Sequence, residues 1–145
     1  MRGRRERRGA AALEFAIAAP IVFLVLFGII EYGRYFMVRH IMDGAAREGA
    51  RFAVVNSSSA VDADVRGVVN GRTQQIQNSF VTSTYAVDVF WLNGATKTYP
   101  FNNATFGSMM GVTVSGTFRP MVPRLLNMST AIPITSACFM LSEAN

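Results

Sequence analysis

One carboxylate stands in an otherwise uncharged stretch: Glu14, within the 21 residues Ala10–Ile30, AAALEFAIAAPIVFLVLFGII. An ionised carboxyl at a bilayer centre costs roughly 2.5–3.5 kcal/mol, and less towards the interface. Two arrangements offset that cost. Glu14 can lie one turn inside the membrane and reach back to the headgroups, or it can neutralise a cation. The sequence supplies a candidate cation, because Arg8-Gly9-Ala10 offers a small, unhindered peptide bond just before the apolar run. Cleavage after Gly9 would leave an ammonium on Ala10, four residues before Glu14. Residues four apart share a helix face, so the two groups can pair within one chain. The amine of one subunit can equally meet Glu14 of the next and set the stagger between packed helices.

The remaining reactive side chains point away from catalysis. His40 is alone on the extended helix and reads as a solvated surface residue rather than a base. Asp62 and Asp64 sit near a helix start, where acids favour the helix dipole. Cys138 lies in an apolar strand and reads as a buried, inert thiol, or, if exposed, as the site of an intermolecular disulfide. A single Cys and a single His cannot close a four-ligand zinc site. The eight methionines are scattered. No phosphate loop or triad spacing is present. The expectation is a non-enzyme with neither a cofactor nor a metal.

What, then, positions Glu14? The chain has 145 residues, 50% hydrophobic and 16% charged, which fits one domain and excludes an intrinsically disordered tail. The formal charge of +5 is concentrated at one end: Arg2, Arg4, Arg5, Arg7 and Arg8 stand against Glu6, while everything after residue 9 holds nine Lys and Arg against eight Asp and Glu. Nucleic-acid binding needs basic residues spread over a folded face, so none is expected. A basic cluster directly before an apolar run is instead the pattern that orients a membrane helix. At ~1.5 Å per residue, Ala10–Ile30 spans about 31 Å, close to the ~30 Å hydrocarbon core. A soluble chain this short could not bury a helix apolar on all sides. With few positive charges after the run (Arg34, Arg39), the amino terminus lies in the cytoplasm and the rest beyond the membrane. No A-x-A-like site follows the run, so it reads as a retained anchor in contact with the lipid bilayer rather than as a cleaved secretory signal.

Here the residues carry a resemblance. Arg7-Arg8-Gly9-Ala10-Ala11-Ala12-Leu13-Glu14-Phe15 resembles the processing site of the type IV prepilin superfamily, in particular its Flp/Tad branch. The run through Pro20, Gly28-Ile29-Ile30-Glu31-Tyr32-Gly33-Arg34 and Ala46-Arg47-Glu48-Gly49-Ala50-Arg51 resembles the TadE-like pilus-assembly proteins. The likeness spans residues 7–55 and is weaker at Val112–Ser115 and Phe118–Pro123; residues 56–107 match nothing familiar. The resemblance implies a pilin-like fold and a prepilin peptidase as partner, cutting after Gly9. It implies a minor pilin or pseudopilin product that works with other pilin subunits and Tad-type inner-membrane assembly proteins. It assigns the cleavage site to Gly9 and Ala10, assembly pairing to Glu14, and a family motif to Glu31, Gly33, Arg34, Arg47, Glu48, Gly49 and Arg51. An uncleaved single-pass envelope anchor or scaffold is the alternative.

Beyond the membrane, residues 31–55 continue as an amphipathic helix with a seam of Tyr35, Val38, Met42, Ala45, Gly49 and Phe52. Asp43 with Arg47 and Glu48 with Arg51 form favourably spaced pairs on its flank. Gly44, Ala45, Ala46, Gly49 and Ala50 permit close approach, either by the chain's own sheet or by another helix. Pro20 and Gly28 are expected to bend or loosen the long helix.

Asn56–Ser59 reads as a turn, Ser59 and Asp62 as a capping signal, and Val61, Val65, Val68, Ile76 and Phe80 as one face of a shorter helix. Tyr85–Leu92, then Asn93-Gly94, then Ala95–Tyr99 predicts a hairpin. Further strands are expected at Gly111–Phe118, ended by Pro120 and Pro123, and at Ile134–Leu141. The division is therefore a basic leader (1–9), a transmembrane helix (10–30), an extended helix (31–55) and a periplasmic domain (56–145). The fold class is α+β, with a small antiparallel sheet of three to five strands.

Overall fold

The computed structural model describes residues 3–57, 59–81, 83–123 and 128–142, with side chains from residue 9 onward. Met1, Arg2, the leader side chains through Arg8, and Ser58 of the expected turn lie outside the described residues. A first helix, α1 (Gly3–Val55), runs 53 residues unbroken through Pro20 and Gly28. At ~1.5 Å per residue it is about 80 Å long. A shorter helix, α2 (Asp62–Thr73), passes into a 3-10 turn (Gln74–Ser79). Among the described residues four strands follow: β1 (Ala86–Asn93), β2 (Thr96–Thr98), β3 (Met109–Phe118) and β4 (Ile132–Leu141). They form one antiparallel sheet in the order β2-β1-β3-β4. The architecture is the α+β arrangement of a long helix, a shorter helix and a small sheet.

Alternation along the strands aims one face of the sheet at the helices, while Phe90 is buried on the other. Val87 and Val89 of β1, Met110, Val112 and Val114 of β3, and Ile134 of β4 point to the same side and are buried. Against them α1 lays Val38, Met42, Ala45, Ala46, Ala50 and Ala53, and α2 adds Val65 and Val69. The seam read from the sequence is the one the sheet covers, with Tyr35 and Phe52 half-buried at its ends. Gly49 is where the three elements converge. A Cβ there would come within 2.5 Å of Val69 Cγ2 and 3.3 Å of Val112 Cγ1, so only a residue without a side chain admits this approach.

Several local expectations are corrected. Asp43 receives a hydrogen bond from the Ser136 hydroxyl on β4, and Glu48 pairs with Arg72 of α2 at 2.7 Å. Neither Asp43–Arg47 nor Glu48–Arg51 is an ion pair among the described residues, because partners on packed neighbours outcompete the exposed intrahelical ones. The cap of α2 is Val61, whose N–H donates to Asp64 Oδ2 at 3.0 Å, rather than Ser59 with Asp62. Val61 is therefore exposed, and the buried face runs Val65, Val69, Thr73, Ile76 and Phe80. In the hairpin, Asn93 pairs with Thr96, so the two-residue loop is Gly94-Ala95, one residue later than Asn93-Gly94. Gly94 has positive φ, at 64°, and Ala95 does not. Glycine at the first loop position alone matches a II′ turn, whereas Asn-Gly suits I′.

Candidate functional site

The burial pattern of α1 changes abruptly. From Gly9 to Ile30 nearly every residue is exposed; Leu13, Phe15, Ile17, Ile21 and Ile29 are each at least 64% exposed. The first buried residue is Glu31, at 2%. Among the described residues α1 holds the one stretch long and apolar enough to cross a membrane, and none of that stretch is covered by the protein. It fits a single-pass anchor.

Gly9, Ala10 and Glu14 all lie on this uncovered part. Nothing stands within 4 Å of where a Gly9 Cβ would be. Ala10 and Glu14 share a helix face, one turn apart. Among the described residues Glu14 has no hydrogen-bonding or ionic partner.

Where the helix emerges, a polar cluster fixes it to the sheet. Arg34 Nη2 donates to Glu31 Oε1 at 2.9 Å and also to the carbonyl of Arg119. The Met121 N–H donates to the same Glu31 oxygen at 3.3 Å. The Arg34 guanidinium carbon stands 4.5 Å from the centroid of the Phe118 ring, and Tyr35 meets that ring edge-on at 5.6 Å. A buried carboxylate needs both an opposite charge and hydrogen bonds, and Glu31 receives both. The two sequence stretches involved, Glu31–Arg34 and Phe118–Met121, are about 85 positions apart and are brought together only by the fold.

The other motif residues do not join this cluster. Gly33 is exposed with open space around it. Arg47 and Arg51 are exposed, Glu48 ties α1 to α2 through Arg72, and Gly49 is buried at the helix–helix–sheet junction. The motif thus divides into residues that shape the fold (Glu31, Arg34, Glu48, Gly49) and residues left facing solvent (Gly33, Arg47, Arg51). Sequence reasoning does not single out Arg119 or Ser136. Arg119 is legible only as a base next to a strand-ending proline, and nothing local marks Ser136 as the donor to Asp43. His40 is exposed, and Cys138 is half-buried on the inward face of β4 rather than fully enclosed.

On the far side of the sheet, Asp88 accepts from Lys97 Nζ at 2.6 Å and Tyr99 Oη at 2.8 Å. Partial burial pushes its pKa up, but the hydrogen bonds from Lys97 and Tyr99 and the Lys97 charge outweigh it and hold the carboxyl below its ordinary range. The bond to Asp88 in turn raises the Tyr99 phenol. This group staples β2 to β1.

Residues 9–51 match the TadE family, described as TadE-like protein. The match begins at the glycine of the candidate cleavage site and ends at Arg51, so the emergence cluster's helical half lies inside it and the sheet outside. The chain is TadE-like over that segment. No curated protein and no solved structure matches the chain.

Proposed function

We propose that this chain is a minor pilin or pseudopilin of a Flp/Tad-type pilus or secretion apparatus, cut by prepilin peptidase between Gly9 and Ala10. The TadE-like segment supports a part in pilus assembly. The observation that carries the finer reading is the division of α1 at Glu31. From Gly9 to that point α1 is bare apolar helix bearing one carboxylate without a partner among the described residues, and beyond it the helix is packed. A helix so divided can sit in the inner membrane with the domain on the periplasmic side. It can also leave the bilayer sideways into a bundle of like helices without disturbing the domain. The Ala10 ammonium then answers Glu14, either in its own chain or across to the next subunit. The role is mechanical, and no residue acts as a catalyst. Other pilin subunits and Tad-type inner-membrane proteins are its partners.

A second reading, an uncleaved anchor or scaffold, draws on one observation. α1 is helical from Gly3 through Gly9–Ala10, so a peptidase must unwind that turn to reach the bond. Mass measurement of the amino terminus of the chain recovered from envelopes decides between them. A terminus at Ala10 supports processing; an intact Met1 in cells that contain the peptidase and assemble pili supports the anchor and rejects the pilin reading.

A further inference from the structure

Beside the emergence cluster, Arg34, Asn78, Arg119, Pro120 and Met121 line a cleft of about 310 Å³. Three elements meet there: α1 brings Arg34, the 3-10 turn after α2 brings Asn78, and the chain leaving β3 brings the rest. Its charge is unbalanced. Arg34 is answered by Glu31, but the Arg119 side chain is exposed and has no partner among the described residues. Arg34 uses Nη2 for Glu31 and for the Arg119 carbonyl, and its Nε–H is buried with no acceptor. A buried N–H without an acceptor is uncommon enough to call for a ligand, an ion or a water.

The height of this cleft matters. Arg34 is four residues past Ile30, about 6 Å along the helix axis from the end of the apolar run. The headgroup layer beyond the ~30 Å hydrocarbon core is roughly 5–8 Å thick on each side. The cleft is therefore level with the phosphates of the leaflet from which the helix emerges. Its surroundings have the mixed character of that layer: Met121 is 72% exposed beside buried Pro120, and Tyr32, 62% exposed, stacks edge-on with Phe36 on the same helix. Amphipathic aromatics collect at such interfaces. Folding also brings Arg119 to this level, adding a positive charge on the side of the membrane where bases are ordinarily sparse.

We infer that this cleft binds a phosphate anion, supplied by the headgroup of an anionic phospholipid, between the Arg34 and Arg119 guanidinium groups and the Asn78 amide. Guanidinium groups present forked donors that match phosphate oxygens. Seating a headgroup there holds the domain at fixed height and rotation above the bilayer before any assembly. The inference rests on the membrane-anchor reading and is independent of cleavage.

The test uses the full chain purified in a non-ionic detergent, with melting followed as a short-chain phosphatidylglycerol, the matching phosphatidylcholine, or inorganic phosphate is added. Arg119→Gln is the informative variant, because its exposed side chain supports no described contact and its backbone N–H still donates to Ser79. Phosphatidylglycerol should stabilise the chain where phosphatidylcholine does not, with affinity about fivefold weaker in Arg119→Gln and weaker in high salt. Equal, Arg119-dependent stabilisation by inorganic phosphate would keep the cleft and change the source to a free anion. No preference for phosphatidylglycerol or phosphate over phosphatidylcholine, or a preference that Arg119→Gln leaves intact, overturns the inference. Failure of the chain to co-sediment with neutral vesicles overturns the anchor reading instead, and with it the lipid as the source.

Discussion

The guanidinium of Arg34 stands 4.5 Å from the centroid of the Phe118 ring, so the first turn of helix after the apolar run is fastened to the last residue of β3. The contact extends the grip of the sheet on α1, already made through Val38, Met42 and Ala45, back to the base of the packed half. With Glu31 taking Arg34 and the Met121 N–H, the domain follows the helix as one piece.

Removing one member of that cluster should cost more than removing both. Glu31→Ala strands the largely buried Arg34 charge, and breaking such a pair costs about 3–5 kcal/mol. Because Arg34 keeps 17% side-chain exposure, the lower end of that range is expected. Arg34→Met with Glu31→Ala leaves no unpaired charge and should recover part of the loss. Denaturant unfolding of the two single variants and the double variant in detergent gives the coupling energy. A strictly additive double variant would show that the two residues do not act as a pair.

Gly44 and Gly49 make a matched comparison on one helix. Gly49→Ala drives a methyl into Val69 and Val112, and overpacking of this kind costs about 1–3 kcal/mol. Gly44→Ala meets nothing within 4 Å, so the better helix former should stabilise by up to about 1 kcal/mol. Opposite signs in thermal unfolding are the expected outcome. Stabilisation by both would mean that α2 yields at Val69 without cost.

Which of these features the sequence discloses follows from their range. The seam Val38, Met42, Ala45, Gly49 is periodic, so the residue order alone reveals both the helix and its buried side. The strands announce themselves by alternation, as in Val112 and Val114 against Thr113 and Ser115. Hydrogen-bond partners are another matter. Asp43 has Arg47 at an ideal local spacing yet bonds to Ser136, 93 residues away, because β4 packs against that side of α1. The hairpin turn falls one residue beyond its sequence signal for a related reason. Asn93-Gly94 is a strong local cue, but the cross-strand register that pairs Trp91 with Thr98 and Asn93 with Thr96 sets which residues turn. Arg119 belongs to the emergence cluster only because β3 ends beside Arg34.

Acid should loosen the β1–β2 hairpin selectively. The Asp88 carboxyl has a folded pKa below its unfolded value, so its contribution is fully present above the unfolded pKa of about 3.9 and is lost as pH falls through the folded one. Trp91, the chain's one tryptophan, is paired with Thr98 and reports on this hairpin. Its emission should change below about pH 4 in the native chain. Asp88→Asn should show a weaker hairpin at neutral pH with that acid-side change absent. Because the Asp88 side chain is 35% exposed, salt should shrink the difference between the two proteins. An acid transition at Trp91 unaltered in Asp88→Asn would assign it to another carboxyl.

The last prediction separates cleavage from assembly. Gly9→Leu puts bulk at the proposed scissile bond; α1 leaves room for it in the folded chain, so any block arises in the peptidase rather than in the fold. The full-length chain should accumulate, read as a mass shift at the amino terminus. Glu14→Ala removes a charge whose burial in lipid costs roughly 2.5–3.5 kcal/mol at most, so insertion should be unchanged or improved. Because the packed domain begins only at Glu31, folding should not register the change either. Assembly alone should suffer, since the Ala10 ammonium then lies in an apolar bundle with no counter-charge. Restoration by Glu14→Asp, one methylene shorter, should be partial. Normal pili from Glu14→Ala would remove the pairing role while leaving the anchor and the emergence cluster untouched, and a normally shortened product from Gly9→Leu would place the cut elsewhere.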